Sequence, residues 1–353
     1  MKNITFIIRS LRFGGAERVL TEICNYLNDK YNISIITFNE ELMEYRLSEH
    51  IQRINLDLDI SLYNLTKNIK VIKRAGIKTN PDLIISFDTL ANLYTLMAFK
   101  KEKIKVGIAE RNAPKQMKLR MHTKIMRYFL YKNADFYIFQ TYEAGNFFAK
   151  FINNNAYYIA NPVKDNIPYK AIESKNEIVA IGRLNYQKNY PFLIDVFAEF
   201  CKENKDYVLR IFGEGSDRFL LEKKCEKLGI QNNVVFEGNV EEIHKEIENS
   251  KIFVITSHFE GIPNALLETM AMGFPVVAID CPVGGPNLLI QDGINGYLVK
   301  AGDNHTFLKR LNELVKNKSL SISLGNEAVK VRERFSIDNI CNAWIDMIEK
   351  ETK

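Results

Sequence analysis

His258-Phe259-Glu260-Gly261-Ile262-Pro263-Asn264-Ala265-Leu266-Leu267-Glu268-Thr269-Met270-Ala271-Met272-Gly273 is the stretch that decides the fold. Just before it, Ile252-Phe253-Val254-Ile255-Thr256-Ser257 is a short apolar, β-branched run that reads as a buried parallel strand. Gly261 and Pro263 break the chain into a turn. A helix is expected from about Asn264, with Leu266, Leu267, Met270 and Ala271 at core spacing. Gly273 ends it and Pro275 prevents its resumption. Val276 to Ile279 is the next buried strand.

Two carboxylates bracket the start of that helix, Glu260 in the loop and Glu268 one turn in. A helix N-terminus favours anions, so neither carboxylate is itself the anion binder. Each can cap a helix or face solvent, or each can accept hydrogen bonds from the hydroxyls of a ligand whose phosphates sit at the helix end. The second arrangement suits a sugar nucleotide.

Outward from this stretch, the second half repeats the strand–turn–helix pattern. Strands are expected at Ile178–Gly182, Tyr207–Phe212 and Val234–Glu237. The strand ends carry Gly182-Arg183-Leu184 with Lys188, then Gly213-Glu214-Gly215, then Gly238-Asn239-Val240. Ligands of open α/β sheets bind at such ends. A guanidinium and an ammonium there can clamp a diphosphate. Pro282-Val283-Gly284-Gly285-Pro286 and Asp292-Gly293-Ile294-Asn295-Gly296 read as turns. Helices are expected at residues 303–317 and 321–334, with a last amphipathic helix at 335–350.

The first half opens with a βαβ unit: a strand at Ile4–Ile8, a turn with Gly14-Gly15, a helix over residues 16–30 and a strand at 32–38. The glycines do not spell GxGxxG, which disfavours a nicotinamide enzyme. Further strands are expected at 54–58, 83–87, 106–110, 136–141 and 157–161, separated by helices at 62–76, 91–99, 118–132 and 143–152. Asp57-Leu58-Asp59 is formally a DxD, placed by alternation on the polar side of a strand and read as structural.

A chain of 353 residues with two such series is expected to form two domains. No apolar run approaches a membrane span, and the N-terminus does not read as a signal peptide. A cytoplasmic protein is therefore expected. Five scattered cysteines with no Cys/His cluster argue against a disulfide framework and a zinc site. Charge is uneven: residues 1–162 hold 24 Lys/Arg against 15 Asp/Glu, and the rest 24 against 28. The region 100–132 is especially basic and has interleaved apolar side chains. It points to an anionic membrane surface, and no nucleic-acid module is present.

Taken together, Gly14-Gly15-Ala16-Glu17, Asn161-Pro162-Val163, Gly182-Arg183-Leu184 with Lys188, Gly238, Glu260 to Glu268, Gly284-Gly285-Pro286 and Asp292-Gly293-Ile294-Asn295-Gly296 resemble the retaining glycosyltransferases of family 4. The resemblance spans nearly the whole chain. It implies the α/β GT-B fold, two facing Rossmann-like domains with parallel sheets. An N-terminal domain of residues 1–162 would take the acceptor and be joined by the final helix, 335–353. A linker would cover 163–176, and a nucleotide-sugar domain 177–334. Glu110-Arg111-Asn112, followed by Pro114, is similar to a subgroup from bacterial surface-polysaccharide clusters and marks acceptor-side candidates.

By the same resemblance, Gly15, beside Gly14, would touch the donor phosphates, and Arg183 and Lys188 would hold the diphosphate. Glu260 would bind the transferred sugar and Glu268 the ribose. Gly261, Ile262, Pro263 and the amides of Asn264, Ala265 and Leu266 would line the phosphates. The base would lie by Gly238, Asn239 and Val240, with Gly213 nearby. Catalysis would rest on Glu260, Arg183 and Lys188. The implied reaction is transfer of a hexose or N-acetylhexosamine from a nucleotide sugar, a UDP-sugar favoured, with retention and with neither metal nor cofactor. The expected acceptor is an undecaprenyl-diphosphate-linked glycan at the inner face of the cytoplasmic membrane. A sugar-nucleotide 2-epimerase of the same architecture is the alternative.

Overall fold

The computed structural model describes residues 1–12, 14–39, 45–60, 62–111, 113–114, 120–150, 152–171 and 174–353. The chain divides into two compact units, Met1–Pro162 with Ile337–Lys353, and Val163–Ser336.

The first unit contains β1 (Asn3–Ile8), α1 (Gly15–Leu27), β2 (Asn32–Thr37), β3 (Gln52–Asn55), α2 (Leu65–Lys78), β4 (Leu83–Phe87), α3 (Thr89–Phe99), β5 (Lys105–Glu110), α4 (Met121–Leu130), β6 (Phe136–Phe139), α5 (Tyr142–Phe148) and β7 (Ala156–Tyr158). Its strands form one parallel sheet in the order β3-β2-β1-β4-β5-β6-β7. The central strands β1 and β4 are buried almost throughout, as near-continuous apolar runs demand when helices cover both faces. α1 buries the stripe Val19, Leu20, Ile23 and Leu27.

The second unit contains β8 (Glu177–Ile181), α6 (Tyr190–Glu203), β9 (Val208–Phe212), α7 (Arg218–Leu228), β10 (Val234–Gly238), α8 (Ile243–Ile247), β11 (Ile252–Ile255), α9 (Asn264–Met272), β12 (Val276–Asp280), α10 (Gly285–Leu289), β13 (Tyr297–Lys300), α11 (Asn304–Lys316), α12 (Lys318–Ala328) and α13 (Val331–Arg334). These strands also run parallel, in the order β10-β9-β8-β11-β12-β13. α9 starts at Asn264 and ends where Gly273 turns left-handed at φ 88°. There the amides of Gly273 and Phe274 bond back to Met270 and Thr269.

The last helix, α14 (Ile337–Glu351), packs on the first unit. Trp344 is fully buried, stacked on Phe87 at 5.8 Å and edge-on to Phe6 at 6.3 Å. Polar ties flank it: Lys2 pairs with Glu349 at 2.5 Å, Tyr31 donates to Glu349 at 2.7 Å, and Tyr157 donates to Glu351 at 2.6 Å.

Three local expectations are corrected. β3 lies at Gln52–Asn55 rather than 54–58, so Asp57 falls after the strand, in a left-handed turn at φ 48°. Asp59 there accepts from Asn64 and Asn68 at the start of α2, at 2.7 Å each. Tyr297–Lys300, directly after the expected turn at 292–296, is a sixth strand of the second sheet that was not expected, and it pairs with β12. The stretch expected to be a linker lies along the second unit, where Val163 and Lys170 bond to the carbonyls of Phe335 and Met272. All five cysteines are free and buried.

Candidate functional site

Strand order in the second sheet reverses between β8 and β11, because β9 and β10 lie on one side of β8 while β11 to β13 lie on the other. Such a switch point leaves a crevice beyond the carboxyl ends of the two strands, since their connections leave in opposite directions. The loops that follow β8 and β11 carry Arg183 to Asn189 and Thr256 to Pro263.

These loops are bonded to each other. Lys188 Nζ lies 2.6 Å from Glu260 Oε1, with both side chains largely buried. Ser257 Oγ donates to the same oxygen at 2.7 Å, and Gln187 Nε2 donates to Glu260 Oε2 at 3.3 Å and to the Phe259 carbonyl at 3.1 Å. The His258 amide donates to the Gln187 carbonyl at 2.8 Å, and Thr256 Oγ1 to the Lys188 carbonyl at 3.0 Å. Glu260 is therefore neither a helix cap nor solvated. The ammonium and the hydroxyl and amide donors together compensate the burial of its oxygens.

Backbone shape explains how the lysine reaches it. Gly182 has φ 152°, and a Cβ there would stand 2.5 Å from Lys188 Cε, so only glycine leaves room for the lysine stem. The next strand ends are laced alongside: the Gly182 amide bonds to Phe212, the Gly213 amide to Gly238 at 2.7 Å, and the Leu184 amide to Glu214 at 2.9 Å. Gly213 and Gly238 thus stand next to Gly182 at one sheet edge, with Asn239 exposed and Val240 half-buried beyond. Glu214 is tied to Arg218. Arg183 is exposed and, among the described residues, has no hydrogen-bond or ion-pair partner.

Gly261, Ile262 and Pro263 lead into α9, and Pro263 at its N-cap supplies no side-chain hydrogen bond. Asn264, Ala265 and Leu266 form its first turn, with Leu266 buried beneath. Glu268, on the second turn, meets His244 Nε2 from α8 at 2.8 Å. At the rim, Tyr186 stacks on His258 with ring centroids 4.5 Å apart. Partial burial holds His258 below the usual imidazole range, and full burial holds the Tyr190 hydroxyl well above its ordinary value.

Gly285 locks the loop from behind. A Cβ at this position would lie 1.5 Å from the Gly261 carbonyl oxygen. Gly285→Ala must therefore displace the loop that carries Glu260. A shift near 1 Å in a positioning loop costs about 100-fold in rate. That loss is expected for Gly285→Ala, measured as kcat/KM, with the fold checked by circular dichroism.

Gly14, Gly15, Glu110 and Arg111 belong to the first unit. Gly14 is the N-cap of α1 and Gly15 its first residue, at the turn after β1. Glu110 is buried, its carboxylate bonded by the Thr89 and Tyr131 hydroxyls, and burial raises its pKa. Arg111 is also buried. Its guanidinium lies 4.9 Å over the Phe87 ring and 5.5 Å over Trp344, and desolvation lowers its pKa to about 9. Asn112 lies outside the described residues. Within this motif, then, the two described side chains pack the core.

The basic region 100–132 is likewise not one face. Arg111 and Arg127 point inward, Lys105 meets Glu351 at 3.2 Å, and Lys115 and Lys118 lie outside the described residues. Among the described residues no helix is long and apolar enough to cross a membrane, and no group of three His, Cys, Asp or Glu side chains is placed to hold a metal. Gln187, Ser257 and His244 had not been singled out in the sequence. Each is an ordinary polar residue: the partners of Gln187 and His244 lie 73 and 24 residues away, and Ser257 meets Glu260 within one turn.

Residues 164–331 match the family model "Glycosyl transferases group 1". The chain is 27% identical, over 99% of its length and 98% of the relative's, to the Campylobacter jejuni enzyme named GalNAc-alpha-(1->4)-GalNAc-alpha-(1->3)-diNAcBac-PP-undecaprenol alpha-1,4-N-acetyl-D-galactosaminyltransferase. It is 24% identical to the amylovoran biosynthesis glycosyltransferase AmsD of Erwinia amylovora, covering 95% of this chain and 96% of that one. Among solved structures, HepE of Anabaena, in complex with UDP and glucose, superposes with a TM-score of 0.87 at 18% identity, over 99% of this chain and all of that one. That likeness gives the fold, two parallel-sheet Rossmann-like domains of the GT-B kind. The matched domain and the full-length relatives make the chain a glycosyltransferase, with the match to the group 1 model lying in its second unit.

Proposed function

We propose that the protein transfers a hexose or N-acetylhexosamine from a nucleotide sugar, a UDP-sugar favoured, to a lipid-linked glycan in bacterial polysaccharide or oligosaccharide synthesis. The observation that carries this reading is the Lys188–Glu260 pair at the β8/β11 switch point, beside the first turn of α9. The relative from Campylobacter is named for an undecaprenol-linked acceptor and AmsD for amylovoran synthesis, which supports this acceptor class. Both full-length relatives are named as transferases, which favours transfer over 2-epimerisation.

In this mechanism Lys188 and Arg183 receive the diphosphate, with the turn Gly261-Ile262-Pro263 and the amides of Asn264 to Leu266 assisting. As Lys188 turns to the phosphate, Glu260 is released to accept hydrogen bonds from the transferred sugar. Glu268 accepts from the ribose, and the base rests by Gly213 and Gly238 to Val240. Two cations neutralise the charge that develops on the leaving diphosphate, so no metal ion is required for that role. The acceptor oxygen attacks from the leaving group's face, a donor phosphate oxygen takes its proton, and configuration is retained. Glu260 is held by three protein donors and serves as a sugar-binding carboxylate, not a covalent nucleophile.

A panel of UDP- and GDP-sugars, each incubated with and without a lipid-linked acceptor, tests the proposal. Acceptor-dependent release of nucleotide in EDTA, with the anomeric configuration retained by NMR, is expected. Donor isomerisation without acceptor would instead reveal an epimerase. His244 should matter to the donor only. His244→Ala removes the bond that aims Glu268, and a hydrogen bond to a charged group contributes about 1.5–3 kcal/mol. Donor KM should rise roughly tenfold, with kcat little changed. Equal losses in both parameters would assign His244 some other part.

A further inference from the structure

We propose that the stacked rings of Tyr186 and His258 form a platform for a saccharide ring of the acceptor glycan, supplied by the second unit. This deepens the transfer reading given above and rests on it.

Two loops build the platform. After β8 the chain makes a single 3₁₀ turn, Tyr186–Lys188, closed by Asn189 in the left-handed region at φ 52°. With about three residues per turn, side chains two positions apart leave on different sides. Lys188 goes inward to Glu260, while Tyr186 is 60% exposed. The loop after β11 repeats the arrangement: Glu260 is buried, and His258, two residues earlier, is exposed. The two rings lie 4.5 Å apart between centroids, with 28° between their planes. An ion pair thus joins the loops at depth, and a ring pair joins them at the surface. The His258 amide, bonded to the Gln187 carbonyl at 2.8 Å, fixes the loops against each other between these layers.

Chemistry selects the ligand. An exposed ring pair offers an apolar face edged by a phenol hydroxyl and ring nitrogens. Such a surface suits a pyranose, whose C–H bonds lie on its faces and whose hydroxyls leave from its edge. Partial burial holds the His258 imidazole below its usual range, so at neutral pH the stack carries no charge that would draw a phosphate instead. Location selects which ring. In the proposed mechanism the base rests by Gly213 and Gly238 to Val240, after β9 and β10, and those strands lie on the far side of β8 from β11. The donor hexose is assigned to Glu260, at the depth of the ion pair. A sugar that arrives once the donor fills that depth meets the exposed layer, and that sugar is the acceptor's.

The test is steady-state transfer from the UDP-sugar selected by the donor panel to an undecaprenyl-diphosphate-linked N-acetylhexosamine, with calorimetric titration of UDP on the same proteins. Tyr186→Ala and His258→Ala should each raise the acceptor KM roughly tenfold. Donor KM and UDP affinity should stay at wild-type values. Alanine at 258 keeps the backbone amide that bonds to Gln187, and Tyr186 is exposed, so both variants should fold. Tyr186→Phe and His258→Phe keep the ring faces and should restore the acceptor KM. Alanine variants with wild-type UDP affinity and an unchanged acceptor KM overturn the platform alone. A raised donor KM in those variants puts the donor on the rings and also overturns it. So does Tyr186→Phe behaving like Tyr186→Ala, because a hydroxyl contact then replaces stacking. Wild-type protein that binds no UDP removes the reading of the site on which the proposal rests.

Discussion

Lys188→Ala is expected to lower kcat/KM for sugar transfer by about 100- to 1000-fold, the size of effect seen when one preorganised charge stabiliser is lost. The argument has two parts. Lys188 is the cation in contact with Glu260, at 2.6 Å and largely out of solvent. With the donor bound it would neutralise the leaving diphosphate. Removing it also strands Glu260 among Ser257 and Gln187 without a counter-charge. Breaking a buried pair in this one-sided way costs about 3–5 kcal/mol. Lys188→Ala should therefore lower the unfolding midpoint of the second unit as well as the rate. The double variant Lys188→Met, Glu260→Leu removes both charges and should recover much of the stability while remaining inactive. If Lys188→Ala keeps full activity, the diphosphate is held by other groups.

Trp344→Ala is expected to destabilise the first unit by about 3–5 kcal/mol, the range for emptying a fully buried large aromatic site. Trp344 fills the space between α14 and the sheet, against Phe6 and Phe87. Its ring is also one of two that face the buried Arg111 guanidinium. The vacated ring thus removes both packing and part of the cation's compensation. Thermal unfolding should show the first unit melting about 10 °C lower, with the second unit's transition unmoved. A single transition shifted as a whole would mean that the two units unfold cooperatively.

Much of this was readable from residue order because the signals are local. Pro263 and Gly273 mark the two ends of α9 by backbone chemistry, and the structure places the helix between them. Apolar runs such as Leu83–Phe87 gave parallel strands because both faces of the sheet are covered. The failures were equally physical. Alternation of Ile54, Leu56 and Leu58 suggested a strand, but pairing with β2 ends at Asn55 and the chain turns at Asp57. Tyr297–Lys300 is four residues long and follows directly on Asn295-Gly296, so the turn hid the strand.

At the candidate site, residue types were legible and contacts were not. Lys188 and Glu260 are 72 residues apart, and only the strand order brings them together. Gln187 and Ser257 looked like ordinary loop polars, and His244 sits on a five-residue helix with no pattern of its own. Burial was the other hidden quantity. Glu110 and Arg111 stand at the end of β5, a natural place for ligand contact, yet hydroxyls and aromatic rings enclose them within the first unit. Nothing in the one-dimensional spacing separates a charged side chain that meets substrate from one that holds a core.

A crystal structure of the protein grown with UDP in the presence of EDTA tests the central claim most directly. The diphosphate should lie beyond β8 and β11, within hydrogen-bonding distance of Lys188 Nζ and the first-turn amides of α9, with the ribose on Glu268 and no cation between the phosphates. A diphosphate found elsewhere, or one that enters this crevice only when magnesium or manganese is restored, would contradict it.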